Sequence, residues 1–140
     1  IHHLTSGKIL AADMRLRRWF SPEQIKIMRE AVEDHRASAS HAPRSIYGKI
    51  VAEADRDLRP ETVFRRTVLY GLAHYPEKSE EEQWKRFVDH MENKYSAHGY
   101  IKLWIQNSPN QEALRVIREI IVDKTLLRKE FDKYFGEETI

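Results

Sequence analysis

The residue types best suited to chemistry in this chain lie within residues 31–57. His35 and Arg36 stand at the end of one predicted helix, and Lys49 and Asp55 lie on the next. If the two helices pack as a hairpin, an imidazole, a carboxylate and several cations come together. Imidazole and carboxylate groups bind divalent metals, while guanidinium and ammonium groups bind phosphate oxygens. The stretch therefore indicates a site for a divalent metal and a phosphate.

A polar loop at residues 37–45 joins the two helices and should lie at the mouth of a site between them. His41 and Arg44 in this loop are candidates for contact with a substrate, because loops over a pocket often carry that role. A histidine in an exposed loop is more often merely solvated, so this alternative stays open for His41.

Local signals predict both helices. Ser21, Pro22 and Gln24 form an N-cap, a first-turn proline and a capping box. Apolar residues then recur at helical spacing as far as His35, which ends the apolar stripe. A lone histidine in that position is otherwise a favourable charge at the helix C-terminus. Ser45 is the predicted N-cap of the second helix.

Asp55 shares a predicted face of the second helix with apolar residues: Tyr47, Val51, Ala54 and Leu58. We therefore expect Asp55 to be buried. A buried carboxylate is unfavourable unless it is paired or bound to a metal. Two interpretations follow, a metal ligand or one half of a buried ion pair with a neighbouring arginine.

The sequences EDHR at 33–36 and YGKIVAEADRD at 47–57 resemble the second half of HD-domain metal-dependent phosphohydrolases. In that superfamily an upstream His, a His-Asp doublet and a late Asp bind the metal. Asp55 matches the late Asp. The resemblance extends over residues 1–75 and is looser over the C-terminal helices.

The resemblance implies a metal-dependent phosphohydrolase that acts on a phosphate ester, with a nucleotide as the favoured substrate. It places Asp55 in the metal shell, with His35 as a further ligand or a phosphate contact. His3 is a weaker candidate for the same role, its alternative being a solvated terminal histidine. Lys49 and Arg36 would stabilise charge on the transferring phosphoryl group. Mn²⁺, Mg²⁺, Fe²⁺ or Co²⁺ would suit mixed nitrogen and oxygen ligands.

One departure from the HD pattern is serious, because no His-Asp dipeptide occurs in the 140 residues. We expect the chain to begin inside the domain, after the doublet. The alternative is a helical binding or regulatory module that keeps the fold without the chemistry.

Composition narrows the class of protein. Hydrophobic residues make up 41% and charged residues 33% of the chain, as in ordinary globular proteins. A net charge of +2 argues against nucleic acid as the main partner. With no cysteine, a metal site must use His and carboxylate ligands. No apolar run approaches the roughly 20 residues that span a bilayer. We expect a cytoplasmic protein, and the oligomeric state stays open, a homo-oligomer included.

The helical patterns predict an all-α HD-like fold of five to seven helices in a single domain, residues 1–140. Residues 1–75 would form the metal and phosphate half and residues 76–140 a C-terminal helical half. We expect the first helix to reach Arg18 and the last to run from Gln111 to Phe135, with 100–105 as the one candidate strand.

Arginines and aromatics alternate closely at residues 15–20, a composition that can contact nucleic acid. A simpler interpretation is that the positive arginines interact favourably with the negative end of the helix dipole, while Trp19 and Phe20 enter the core. We prefer the second interpretation.

Overall fold

The computed structural model describes residues 2–137, and all regular structure within them is helical. These residues form a 3₁₀ helix at Leu16–Arg18 and seven α-helices: α1 (His2–Ala12), α2 (Pro22–Asp34), α3 (Ile46–Ala54), α4 (Pro60–His74), α5 (Glu80–Tyr95), α6 (Pro109–Val122) and α7 (Lys124–Glu137). The prediction of an all-α fold with five to seven helices is confirmed. None of the helices in this described part is long and apolar enough to cross a membrane.

The chain divides into two compact units. The first unit comprises residues 1–56 and 102–106, and the second comprises residues 57–101 and 107–140. In the first unit α2 packs against both α1 and α3. In the second unit α4 packs against α5, α6 and α7.

The predicted caps of α2 and α3 are confirmed. The backbone N–H of Gln24 donates to Ser21 Oγ at 3.2 Å, and Ser21 N–H donates to Gln24 Oε1 at 2.8 Å. Gly48 N–H donates to Ser45 Oγ at 3.1 Å. Each bond satisfies a backbone group that the first helical turn leaves without a partner. The two helices that flank the 37–45 loop therefore start where their sequences indicate.

The first helix is shorter than predicted, since it ends at Ala12. The Asp13 carboxylate accepts a hydrogen bond from the backbone N–H of Arg15 at 2.9 Å, and this local bond competes with helix continuation. The helical face of α1 does not extend past this turn. Trp19 is 80% exposed and Phe20 is 41% exposed, so the prediction that they enter the core was wrong.

Aromatic residues dominate the core of the second unit. Phe87 lies with its ring centroid 5.5 Å from that of Phe131 and 6.3 Å from that of Phe64. All three side chains are buried, as is Tyr95. A capping box between Ser79 and Glu82 starts α5, the helix that carries Phe87 and Tyr95.

The predicted last helix is two helices. Asp123 adopts an extended backbone conformation between α6 and α7. Its Oδ1 accepts hydrogen bonds from the N–H groups of Thr125 at 2.9 Å and Leu126 at 3.2 Å. Asp123 thus starts a new helix with its side chain, which the continuous apolar periodicity concealed. In the described chain, residues 100–105 form no strand.

Candidate functional site

The predicted hairpin of α2 and α3 exists, and small residues hold it together. Gly48 and Ala52 are buried on α3. A Cβ added at Gly48 would lie 3.0 Å from Pro43 Cβ and 3.6 Å from Ala31 Cα. An added Cβ would press on Pro43 of the loop but meet the α2 backbone at an ordinary contact distance, so α3 lies close against α2 at Gly48.

The close approach reverses the predicted face of α3. Tyr47 is 60% exposed and Val51 is 39% exposed, and Asp55 lies on the same outer side. The prediction that Asp55 is buried was wrong, because Gly48 and Ala52 rather than the bulky residues face α2. This exposure also rules out Asp55 as half of a buried ion pair.

The buried carboxylate of this helix belongs instead to Glu53. It is 8% exposed, and its Oε2 accepts a hydrogen bond from the backbone N–H of Trp104 at 3.2 Å. Sequence reasoning missed Glu53. Gly48 and Ala52, four residues apart, mark a close-packed face of α3, and this spacing could have predicted that Glu53, next to Ala52, is buried.

Four of the predicted site residues line one cleft of about 730 Å³: His3 of α1, Arg36 after α2, and His41 and Arg44 of the loop. Glu33 and Asp34 also line it. His35, Lys49 and Asp55 do not line this cleft. The structure therefore brings together residues from positions 3 to 44 but does not gather all seven predicted residues.

Arg44 is fixed in this cleft by carboxylates. Its Nη2 lies 2.8 Å from Asp34 Oδ1 and 2.9 Å from Glu33 Oε2, and its Nε lies 3.0 Å from Asp34 Oδ2. Burial alone would raise the pKa of Asp34, but the hydrogen bonds from Arg44 outweigh it and lower that pKa. Hydrogen bonds to Asp34 and Glu33 raise the pKa of Arg44 in turn. Sequence reasoning overlooked both carboxylates, although they directly precede His35.

Arg36 differs from Arg44 in its surroundings. Its side chain is exposed at the cleft, and it forms no ion pair with a carboxylate among residues 2–137. His41 is also exposed, and its Nδ1–H donates to the carbonyl of Ala42 at 2.9 Å. Arg36 is therefore the cation of this cleft whose charge the described side chains leave uncompensated.

Three histidine rings cluster beside the cleft. The ring centroids of His2, His3 and His35 lie 5.9 to 6.5 Å apart. His35 Nδ1–H donates to the Val32 carbonyl at 2.5 Å, which leaves Nε2 of the neutral ring as an acceptor or ligand. His3 Nδ1 is buried without a hydrogen-bond partner in the described structure. Burial lowers the pKa of His3, and the nearby charge of Arg36 acts in the same direction, so the ring is neutral at neutral pH.

These residues do not complete a metal site by themselves. Within residues 2–137, no three His, Cys, Asp or Glu side chains are arranged so that they could hold a metal ion. Asp55, the predicted central ligand, is exposed and absent from the cleft lining. The arrangement is suited to binding an anion, through Arg36 and the imidazole of His3, rather than to holding a metal unaided.

Comparison with known proteins identified no relative of this chain. No family model matches the chain, and no match appears among curated proteins or solved structures.

Proposed function

We propose that the first unit is the phosphate-binding part of a metal-dependent phosphohydrolase that acts on a phosphate ester, with nucleotides as the first class to test. The observation that carries the proposal is the cleft lined by His3, Arg36, His41 and Arg44. The resemblance of residues 33–36 and 47–57 to HD-domain enzymes supplies the reaction class.

Three of the cleft residues have distinct parts in this proposal. Arg36 binds phosphate oxygens, since a guanidinium offers paired N–H donors in the geometry that phosphate accepts. Arg44 holds the loop in place, because Asp34 and Glu33 already compensate its charge. His3, neutral at neutral pH, can accept a proton or a hydrogen bond from a bound ester.

The metal part of the proposal rests on the resemblance alone. A bound metal would need ligands beyond those that residues 2–137 bring together. Lys49 is half-buried on α3 and does not line the cleft. Its role as a catalytic cation, like that of Asp55 and His35 as ligands, stays a prediction.

The test is phosphate release from p-nitrophenyl phosphate and from a panel of nucleotides, with Mn²⁺, Mg²⁺, Fe²⁺ or Co²⁺ and with chelator. We expect metal-dependent turnover, and we expect Arg36→Gln to lower kcat/KM by about tenfold or more, as loss of a charge-assisted hydrogen bond does. Arg18→Gln removes the same charge from an exposed position of the same unit and should have no effect. If no metal supports phosphate release, the proposed phosphohydrolase activity is refuted.

A second candidate is a helical binding or regulatory module of the same fold. The lack of a three-ligand metal group among the described side chains favours it. Calorimetry with nucleotides separates the two candidates. Binding that weakens in Arg36→Gln, without any turnover, would identify the module, whereas turnover would exclude it.

A further inference from the structure

A separate cleft lies in the second unit, beside α4 and α5. It has a volume of about 390 Å³, and four basic residues line it: Arg66, Arg86, His90 and Lys94. We call it the basic cleft. It shares no residue with the cleft of the first unit, and nothing in the proposed function uses it.

The arginines of the basic cleft are positioned by neutral groups. Arg66 Nη2 donates to the Tyr95 hydroxyl at 2.7 Å. Arg86 donates to the carbonyl of Thr67, and its Nε lies 3.4 Å from Gln83 Oε1. These hydrogen bonds orient both guanidinium groups but leave their positive charges in place.

No carboxylate in the described structure forms an ion pair with Arg66, Arg86 or Lys94, and none lines the basic cleft. Outside the cleft, the charge of Arg66 helps to lower the pKa of Asp57, mainly set by hydrogen bonds from Arg59. That carboxylate is already bound by Arg59, with Nε 3.0 Å from Oδ1. The described carboxylates therefore leave the positive charge of the basic cleft unpaired. The aromatic lining contacts two of the cations, with Arg86 Cζ 6.0 Å from the centroid of the Tyr70 ring and Lys94 Nζ 5.2 Å from that of Tyr95.

A charge without a carboxylate partner is unfavourable at Arg86 because this side chain is partly removed from water. Burial lowers the pKa of Arg86. Burial also lowers the pKa of His90 to about 4, with Lys94, Arg86 and Arg66 acting in the same direction. Three cations and a neutral imidazole thus surround one concave space, and a bound anion would offset their repulsion.

We propose that the basic cleft binds the phosphate group of a small molecule. Arg66 uses only Nη2 in its bond to Tyr95 and so keeps further N–H donors for phosphate oxygens. Arg86 bonds through Nε and Nη2 to Gln83 and Thr67, and it contributes its charge and its remaining Nη1 donors. Lys94, whose Nζ lies 5.2 Å from the centroid of the Tyr95 ring, adds a point charge, and His90 can donate a hydrogen bond from a ring N–H. The volume accommodates a phosphate group with a small substituent.

The competing interpretation is that Arg86 only ties α4 to α5. Its bonds to Thr67 and Gln83 would then be its whole purpose, and no anion would be needed. Direct measurement of anion binding separates the two interpretations, because a purely structural arginine creates no saturable site.

The experiment is calorimetric titration of the protein with inorganic phosphate, sulfate and glycerol phosphate, together with thermal melts in each. We expect saturable binding that raises Tm, since a ligand of the folded state stabilises it. Arg66→Gln and Lys94→Gln should each weaken binding by about tenfold. Both side chains lie at or near the surface, so folding should survive. Tighter binding of glycerol phosphate than of phosphate would identify an ester, and the reverse order would identify free phosphate.

Arg65→Gln is the matched control, because it removes the same charge from the same helix at a side chain paired with Glu137. It should leave binding unchanged, whereas Arg36→Gln removes at most the separate binding of phosphate in the cleft of the first unit. An absence of saturable binding, or equal weakening in Arg65→Gln and Arg66→Gln, would overturn the proposal. Loss of binding in Arg36→Gln alone would assign the anion to the first cleft and likewise overturn it.

Discussion

Arg44 and Asp34 form a bidentate ion pair, with Arg44 Nη2 2.8 Å from Asp34 Oδ1 and Nε 3.0 Å from Oδ2. The carboxylate is 3% exposed, whereas the guanidinium side chain is 43% exposed. The backbone N–H of Arg44 also donates to Oδ2 at 2.9 Å. One buried side chain at the end of α2 thereby fixes the end of the 37–45 loop.

Asp34→Asn should destabilise the protein by roughly 2 kcal/mol, less than for a fully buried pair because Arg44 keeps contact with water. The measurement is the free energy of unfolding in urea at neutral pH. Asp13→Asn, which breaks the exposed pair with Arg15, should cause a far smaller loss. Equal losses would show that the Asp34 pair adds nothing beyond a surface contact.

Gly99→Ala should destabilise the second unit by about 1–3 kcal/mol, as overpacking against a fixed backbone does. An added Cβ would lie 2.5 Å from both the C and the O atoms of Lys94. Gly136→Ala is the control, because no atom lies within 4 Å of its added Cβ. That variant should be neutral or slightly more stable. Chemical denaturation of both measures the difference, and an unaffected Gly99→Ala would mean that the backbone yields at this turn.

His90 should make the protein less stable in mild acid. Its pKa falls from 6.5 to about 4 on folding, chiefly through burial. The unfolded chain therefore binds a proton that the folded chain does not, and stability declines as pH falls from 6.5 towards 4. With the ring partly open to solvent, we expect a loss of about 1 kcal/mol by pH 5.

Urea unfolding of wild type, His90→Gln and His98→Gln between pH 7 and 5 tests this titration. His90→Gln should flatten the pH dependence, whereas His98→Gln, an exposed histidine of the same unit, should retain it. Parallel pH profiles in all three proteins would contradict the assignment to His90.

Asp55→Ala should leave Tm nearly unchanged in chelator, because the side chain is exposed and forms no ion pair within residues 2–137. If Asp55 is a metal ligand, the variant should lose the rise in Tm that Mn²⁺ gives the wild type. Asp89→Ala, an exposed carboxylate on α5, should keep that rise. A wild-type Tm that changes with neither Mn²⁺ nor chelator would contradict the metal-site interpretation.

The sequence by itself determined the starts of α2, α3 and α5. Ser21, Ser45 and Ser79 each bond to a backbone N–H three residues ahead, so the whole interaction lies within one turn. The apolar stripe of α4 was predictable for the same reason, since its buried members recur at helical spacing. Such short-range signals do not depend on what the helix packs against.

Tertiary structure alone decided which face of α3 is buried and what compensates each charge. Bulky residues at Tyr47 and Val51 suggested one face, but backbone contact at Gly48 selected the other and left Asp55 outside. The hydrogen-bond partners of Arg44, Arg66 and Arg86 likewise depend on tertiary packing, because they lie 10 to 29 positions away in the sequence. Helical periodicity fixes spacing along a face, whereas the depth of contact depends on the partner helix, which no local pattern encodes.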